Sequence, residues 1–247
     1  MATNEESTVL LSDARMGNVE YIRTDLADRA FGGGKGIPRT GTILLGGEPG
    51  AGKTTLCLQL CDKACTRFPK KEALYIANEQ DPVELKTTAE RLELHNKGRI
   101  RIVKAMGGIA DDLGDLILRF EPCIIILDSV TKWVGEDLEL AVQVAYRMKD
   151  YTVRLGAPSI IINQVTKDGG HAGLMKLQHA VDTCSLFHIL EDEIDPSTGK
   201  PFPISQAPRR LQTLKNRFGV LDEQFYAMNE TGLEEIELDN EEDDPDD

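Results

Sequence analysis

Eight consecutive residues, Gly47-Glu48-Pro49-Gly50-Ala51-Gly52-Lys53-Thr54, complete the phosphate-loop pattern G-x-x-x-x-G-K-[ST]. Glycines let the backbone curl until several N–H groups face one set of oxygens, and the N-terminus of a following helix adds partial positive charge. A lysine at position 53 reaches β- and γ-phosphates, and the Thr54 hydroxyl suits Mg²⁺. Gly47 through Thr55 are therefore the candidate contacts to ATP. Further on, Ile124-Ile125-Ile126-Leu127-Asp128 is an apolar run ending in a carboxylate, the arrangement in which Asp128 holds Mg²⁺ beside the phosphates. Hydrolysis also needs a group to orient or deprotonate water. Glu79 follows the apolar segment Ala73–Asn78 and is the candidate, because ligands bind where parallel strands end.

These groups must be positioned by strands and helices. Strands are predicted at Thr42–Leu45, Ala73–Ala77, Arg99–Val103, Cys123–Leu127, Ser159–Ile162, Ser185–Leu190, Leu211–Leu214 and Gln224–Met228, several of them rich in Ile, Leu and Val without alternation, which suits a sheet covered on both faces. Helices are predicted at Thr54–Arg67, Pro82–Leu94, Asp112–Phe120 and Leu138–Leu155. The order predicts an α/β fold with a doubly wound, mostly parallel sheet, helices on both faces and extra strands at the C-terminal edge. Cys57, Cys61 and Cys65 lie on one helical stripe; a straight helix rarely supplies three zinc ligands, so they read as buried packing.

Five segments together resemble the RecA-like ATPases, and within them the bacterial RadA (Sms) recombination proteins. They are Arg23-Thr24 with Asp28, Gly33-Gly34 and Gly36-Ile37-Pro38; Gly46 through Leu56; Tyr75-Ile76-Ala77-Asn78-Glu79-Gln80; Val165 through Gly173 with Leu177 through Asp182; and Lys215-Asn216-Arg217-Phe218-Gly219. The resemblance implies a RecA-like fold and an ATPase whose catalytic residues are Lys53, Glu79, Gln164, Lys215 and Arg217. Ile162-Asn163-Gln164 departs from RadA, where the place usually reads Gly-His, and is closer to RecA itself, where a Gln there senses the γ-phosphate; in the RadA resemblance Lys215 and Arg217 reach the phosphate held by a neighbouring subunit. Such cations can be worth ~10³–10⁵ in rate. Two residues apart on a strand, they are expected to point the same way.

The resemblance also implies single-stranded DNA as a partner. Two loops would hold it: Thr131–Asp137, where Lys132 and Trp133 pair a cation with a stacking surface, and Thr166–Gly173, with Lys167, Gly169, Gly170 and His171, followed by Lys176. It further implies a homo-oligomer, either a ring such as a hexamer or a filament. The four-cysteine finger and protease-like domain of RadA have no counterpart here, so the chain reads as a minimal core of the kind some phages encode.

The 247 residues carry a net charge of −14, but thirteen acids and no base follow Arg217, leaving 29 acids against 28 bases before it. The body is balanced and the negative charge belongs to the C-terminal end. We expect a flexible N-terminus over residues 1–15, an ATPase core over 16–232, and an acidic disordered tail over 233–247 that competes for DNA or recruits other recombination or replication proteins. No apolar run approaches a membrane span and no secretory signal opens the chain, so a cytoplasmic, nucleoid-associated protein is expected. Three readings compete: a DNA-dependent motor or recombinase, of branch-migration or annealing type; a KaiC-like regulatory ATPase without DNA; and a small-molecule P-loop kinase, which the Lys215/Arg217 pair disfavours.

Overall fold

The structure, a computed structural model, describes residues 19–104, 112–135, 137–164, 171–190, 194–195, 200–204 and 206–237. The expected flexible N-terminus, most of the acidic tail and the loop residues Lys167, Gly169 and Gly170 lie outside them.

In chain order the elements are β1 (Tyr21–Ile22), α1 (Asp28–Gly32), β2 (Ile37–Pro38), β3 (Thr42–Gly47), α2 (Lys53–Arg67), β4 (Ala73–Ala77), α3 (Pro82–Arg91), β5 (Ile100–Lys104), α4 (Asp112–Phe120), β6 (Ile124–Asp128), α5 (Val130–Val134), α6 (Leu138–Leu155), β7 (Ser159–Gln164), α7 (His171–Ala180), β8 (Thr183–Ile189), β9 (Ile194–Asp195), β10 (Lys200–Pro201), β11 (Arg209–Asn216), β12 (Glu223–Asn229) and β13 (Gly232–Ile236). Nine strands form one sheet in the order β13-β12-β11-β8-β3-β7-β6-β4-β5. The six from β8 to β5 are parallel, and β11, β12 and β13 extend the β8 edge antiparallel. This is the expected α/β architecture.

The apolar strands do not alternate with polar residues because both faces of the sheet are covered. In β6, Ile124 and Ile126 join the core under α1, α2 and α3, whereas Ile125 and Leu127 join the core under α4, α5, α6 and α7; all four are fully buried. The side-chain period of two splits one apolar run between two cores.

Several boundaries differ from expectation. Helix α3 starts as predicted, with Asp81 capping Val83 N–H at 3.0 Å and Pro82 in the first turn, but stops at Arg91, because Glu93 adopts a left-handed φ of 52°. Residues 130–134 are helical rather than looped: Ser129 caps α5 at Lys132 N–H, so Lys132 and Trp133 ride on a helix. His171 to Gly173 open α7 instead of closing a loop. The tail begins later than residue 233, because β13 pairs with β12 from Asn229↔Gly232 to Phe225↔Ile236 and buries Leu233. Its hairpin turn, Glu230-Thr231, is short enough to be overlooked among acids.

Candidate functional site

Strand order determines which residues meet. β3, β7, β6 and β4 are consecutive neighbours, so their carboxyl ends bring the phosphate loop, Gln164, Asp128 and Glu79 to one edge. In register, Gly47 stands beside Gln164, and Ala77 beside Asp128. The loop bends sharply at Gly47, whose φ is 152° and where a Cβ would lie 2.4 Å from the Phe187 carbonyl oxygen; only glycine fits. Glu48 braces the loop from outside, its carboxylate accepting the Ile189 N–H at 3.0 Å.

Lys53 is 7% exposed and folds back onto the loop, donating to the carbonyls of Gly47 (2.8 Å) and Glu48 (2.7 Å). Burial lowers its pKa, opposed by the negative charges of Asp128 and Glu79. The Thr54 hydroxyl donates to Asp128 Oδ2 at 3.2 Å, and the buried Tyr75 hydroxyl donates to the same oxygen at 2.5 Å. Asp128 is 4% exposed. Burial pushes its carboxyl above the ordinary range against the hydrogen bond from Tyr75, and Glu79 adds to the rise. A buried carboxylate short of positive charge, next to a hydroxyl, is a fitting pair of hard oxygen ligands for Mg²⁺. The Gln164 side-chain amide donates to the Glu79 carboxylate, joining the last residue of β7 to the candidate water-orienting group. Lys53, Thr54, Glu79, Asp128 and Gln164 line one cleft of about 430 Å³, together with Pro49, Gly50, Gly52, Thr55, Gln80, Arg91, Ile162 and Met228.

Lys215 and Arg217 lie elsewhere. β11 carries a bulge between Thr213 and Lys215 and ends at Asn216, so a simple two-residue alternation does not describe the pair. Lys215 Nζ donates to the carbonyls of Gln178 (2.6 Å) and Val181 (2.7 Å), capping the C-terminal end of α7. Arg217 donates to Asp182 Oδ1 at 2.9 Å, yet its side chain remains 53% exposed. Burial and the nearby Arg217 lower the Lys215 pKa. Thus the α7 end gathers both cations.

Of the candidate DNA residues, Lys132 and Lys176 are exposed. Trp133 packs half-buried against the core under α4 to α7. All five cysteines are buried, including Cys57, Cys61 and Cys65 on the sheet side of α2.

Some contributors were not singled out from the sequence. Asn78 accepts the Ser129 N–H at 2.7 Å and donates to the Ser129 carbonyl at 2.9 Å, clamping the backbone that follows Asp128. Asp182, 5% exposed, accepts from Lys149 (2.6 Å), from Arg217 and from the Thr42 N–H (3.2 Å). Asn163 accepts the Thr131 hydroxyl at 2.7 Å, tying α5 to β7. Asn78 and Asp182 both stand in segments that carry the family resemblance, Asn78 beside Glu79 and Asp182 at the end of Leu177 through Asp182, but their types and spacing give neither residue a role.

This sheet order, phosphate loop and pair of acidic strand ends define a RecA-like P-loop ATPase. A family model described as "ATPase: KaiC" matches residues 24–242, and the chain belongs to that family. Among curated proteins it is similar to the DNA repair protein RadA of Aquifex aeolicus, 30% identical over 217 residues covering 85% of this chain and 44% of the relative. The RadA of Haemophilus influenzae is 31% identical over 217 residues (85% and 43%), and that of Bacillus subtilis 29% over 225 (87% and 45%). The chain thus spans less than half the length of these three relatives. The resemblance to the RadA core read from the motifs agrees with these matches. Among solved structures, a KaiC-like protein of the archaeon Pyrococcus horikoshii has a TM-score of 0.68 at 16% identity, covering 89% of this chain and all of that one, a likeness of fold. No helix among the described residues is long and apolar enough to cross a membrane.

Proposed function

We propose that the protein is an ATP-hydrolysing, single-stranded-DNA-binding ATPase of recombination or repair, working as a homo-oligomer. The observation that carries the ATPase reading is the convergence of Lys53, Thr54, Asp128, Glu79 and Gln164 on one cleft. The DNA reading is supported by the RadA relatives and by Lys215, which caps the C-terminal end of α7, the helix that carries Lys176.

In this mechanism Lys53 exchanges its loop carbonyls for phosphate oxygens. Glu79, oriented by the Gln164 amide, takes the proton of the attacking water. Thr54 and Asp128 would hold Mg²⁺, which would supply positive charge to offset the negative charge of the phosphates. Arg217, and Lys215 once released from α7, add positive charge to the site of the adjacent subunit, which makes the contact head-to-tail. DNA gripped near Lys132 and Lys176 would shift α7 and hence the cations its end retains.

The test is the ATPase rate with and without single-stranded DNA across protein concentration. DNA stimulation together with a specific activity that rises with concentration is the expected result. A rate flat on both axes overturns the motor reading and favours a KaiC-like regulatory ATPase, which the family match independently supports.

A further inference from the structure

We infer that the surface where the end of α2 meets the turn before β5 is a docking site for the phosphate backbone of duplex DNA, separate from the candidate single-strand residues. Ala73 and Ile100 stand side by side where β4 and β5 begin, so the segments leading into them share the amino edge of the sheet. Residues 62–71 and 94–99 hold six cations (Lys63, Arg67, Lys70, Lys71, Lys97 and Arg99) and one acid, Asp62. Asp62 is buried and turned into the protein, its carboxylate accepting the Asn96 N–H at 2.6 Å. The flanking Glu72 is taken by Arg101 through bonds of 2.5 and 2.9 Å. The two segments are stapled together. Arg99 donates to the carbonyls of Phe68 (3.2 Å) and Lys71 (3.4 Å), and the Asn96 side-chain amide donates to the Asp62 carbonyl (3.0 Å) and the Thr66 hydroxyl (2.7 Å).

Lys63, Arg67, Lys70 and Lys97 are exposed, and none of the six cations forms an ion pair among the described residues. The chain has 42 acids against 28 bases, so partners are plentiful, yet here like charges stand together and repel. The dipole of α2 favours Lys63 and Arg67 near its end, but Lys70, Lys71 and Lys97 lie beyond the helix. A polyanion offsets the repulsion, and the surroundings select which one. A protein partner is gripped by exposed aromatic and aliphatic anchors, and none of the large exposed hydrophobics among the described residues falls in these two segments. A single strand is gripped by stacking on aromatic rings, whereas the one Phe, Tyr or Trp here, Phe68, is half-buried with the Arg39 guanidinium 5.1 Å over its ring. A duplex presents its phosphates outward, and cations hold them without anchors or stacking. The place is also separate. The 15 residues of α2 put Arg67 about 20 Å from Lys53, at 1.5 Å per residue. Lys132 and Lys176 ride on α5 and α7, over the other face of the sheet. One subunit can therefore hold a duplex and a single strand at once.

The experiment follows the fluorescence anisotropy of a labelled blunt-ended DNA duplex and of a labelled single strand, at low and rising salt, with the full chain and without ATP. The patch variant is Lys63→Gln/Arg67→Gln/Lys70→Gln. Its control is Lys35→Gln/Lys86→Gln/Arg154→Gln, the same change of charge at exposed positions elsewhere. Wild type is expected to bind the duplex with an affinity that falls steeply with salt. The patch variant should lose about tenfold or more in duplex affinity, and its log–log salt slope should become shallower by about 2–3, while single-strand affinity stays within about twofold. The control should stay within about twofold on both. Lys70→Glu and Lys97→Glu alone should each weaken the duplex about threefold. The substituted side chains are exposed, so every variant should keep the wild-type melting temperature. A wild type that ignores the duplex, a patch variant that binds it as the control does, or an equal loss for both DNAs overturns the docking site. Binding of polyglutamate through these residues in place of the duplex assigns the surface to an acidic protein and overturns it as well.

Discussion

Gly33 and Gly219 meet backbone to backbone: a methyl group at position 219 would lie 2.6 Å from the Gly33 Cα, and one at 33 would lie 2.9 Å from the Gly219 Cα. Two segments far apart in sequence, the turn after α1 and the turn after Arg217, are thereby locked together. Arg29 reinforces the lock from the same helix, holding Asp222 through two hydrogen bonds of 2.9 Å. The atoms a new Cβ would strike are backbone atoms, which cannot swing aside.

Gly219→Ala should therefore destabilise the fold by about 1–3 kcal/mol through overpacking. It should also displace Arg217, two residues away, and lower the concentration-dependent part of the ATPase rate more than nucleotide binding. Urea unfolding and a calorimetric titration with ATP separate the two effects. Wild-type stability in Gly219→Ala would disprove the backbone contact.

Asp182 holds three donors from three elements: Lys149 of α6, the Thr42 N–H at the start of β3, and Arg217. Asp182→Ala removes the acceptor and leaves the Thr42 N–H buried without that partner, so a loss of about 1–3 kcal/mol is expected. The two cations are partly exposed and can return to water, which keeps the cost below that of a fully buried pair. Asp182→Asn should recover part of the loss, because one oxygen remains to accept. The measurement is the urea midpoint of both variants; equal loss in the two would mean that charge alone matters.

His188, in β8, has its pKa lowered chiefly by burial and then by Arg210, while Glu48 and Glu223 oppose the shift. Between the folded value and the ordinary 6.5 the unfolded chain binds more protons, so stability rises with pH through that window and falls as pH drops below 6.5. The group is only about half buried, so the effect should stay below about 1 kcal/mol. Thermal melts of wild type and His188→Gln from pH 5 to 7.5 should diverge on the acid side, with the variant less acid-sensitive. Parallel curves would remove His188 as the cause.

The candidate site's loop, Asp128 and Glu79 were legible because each part is local: a loop pattern, an apolar run ending in Asp128, and Glu79 beyond another. Each needs only its own strand or turn to be recognised. The partners that orient them are not local. Tyr75 and Asn78 act on β6 from β4, and only the sheet order β7-β6-β4 makes them neighbours. Arg91 and Met228 are brought to one cleft by a hairpin whose turn sits inside an acidic stretch. Helix α5 escaped notice because five residues show no periodicity; what makes it a helix is the Ser129 cap and the core beneath Val130 and Trp133.

Asn78 gives the most specific prediction for the chemistry. Its side chain occupies both the N–H and the carbonyl of Ser129, and its own N–H donates to the Asp128 carbonyl at 2.9 Å. It thus fixes the peptide units on either side of Ser129 while standing next to Glu79 in sequence. It does not line the cleft, so it acts as a positioning residue through Asp128 and Glu79. Asn78→Ala should lower kcat about tenfold or more with KM for ATP within about twofold, because the proposed nucleotide contacts remain while the aim of Asp128 and Glu79, the proposed metal-holding and water-orienting carboxylates, loosens. Loss of the two hydrogen bonds should also cost about 1–3 kcal/mol of stability. Asn78→Asp restores an acceptor for the Ser129 N–H but not the donor, and should recover stability only in part. A steep rise in KM with kcat intact would place Asn78 in nucleotide binding and reject the positioning role.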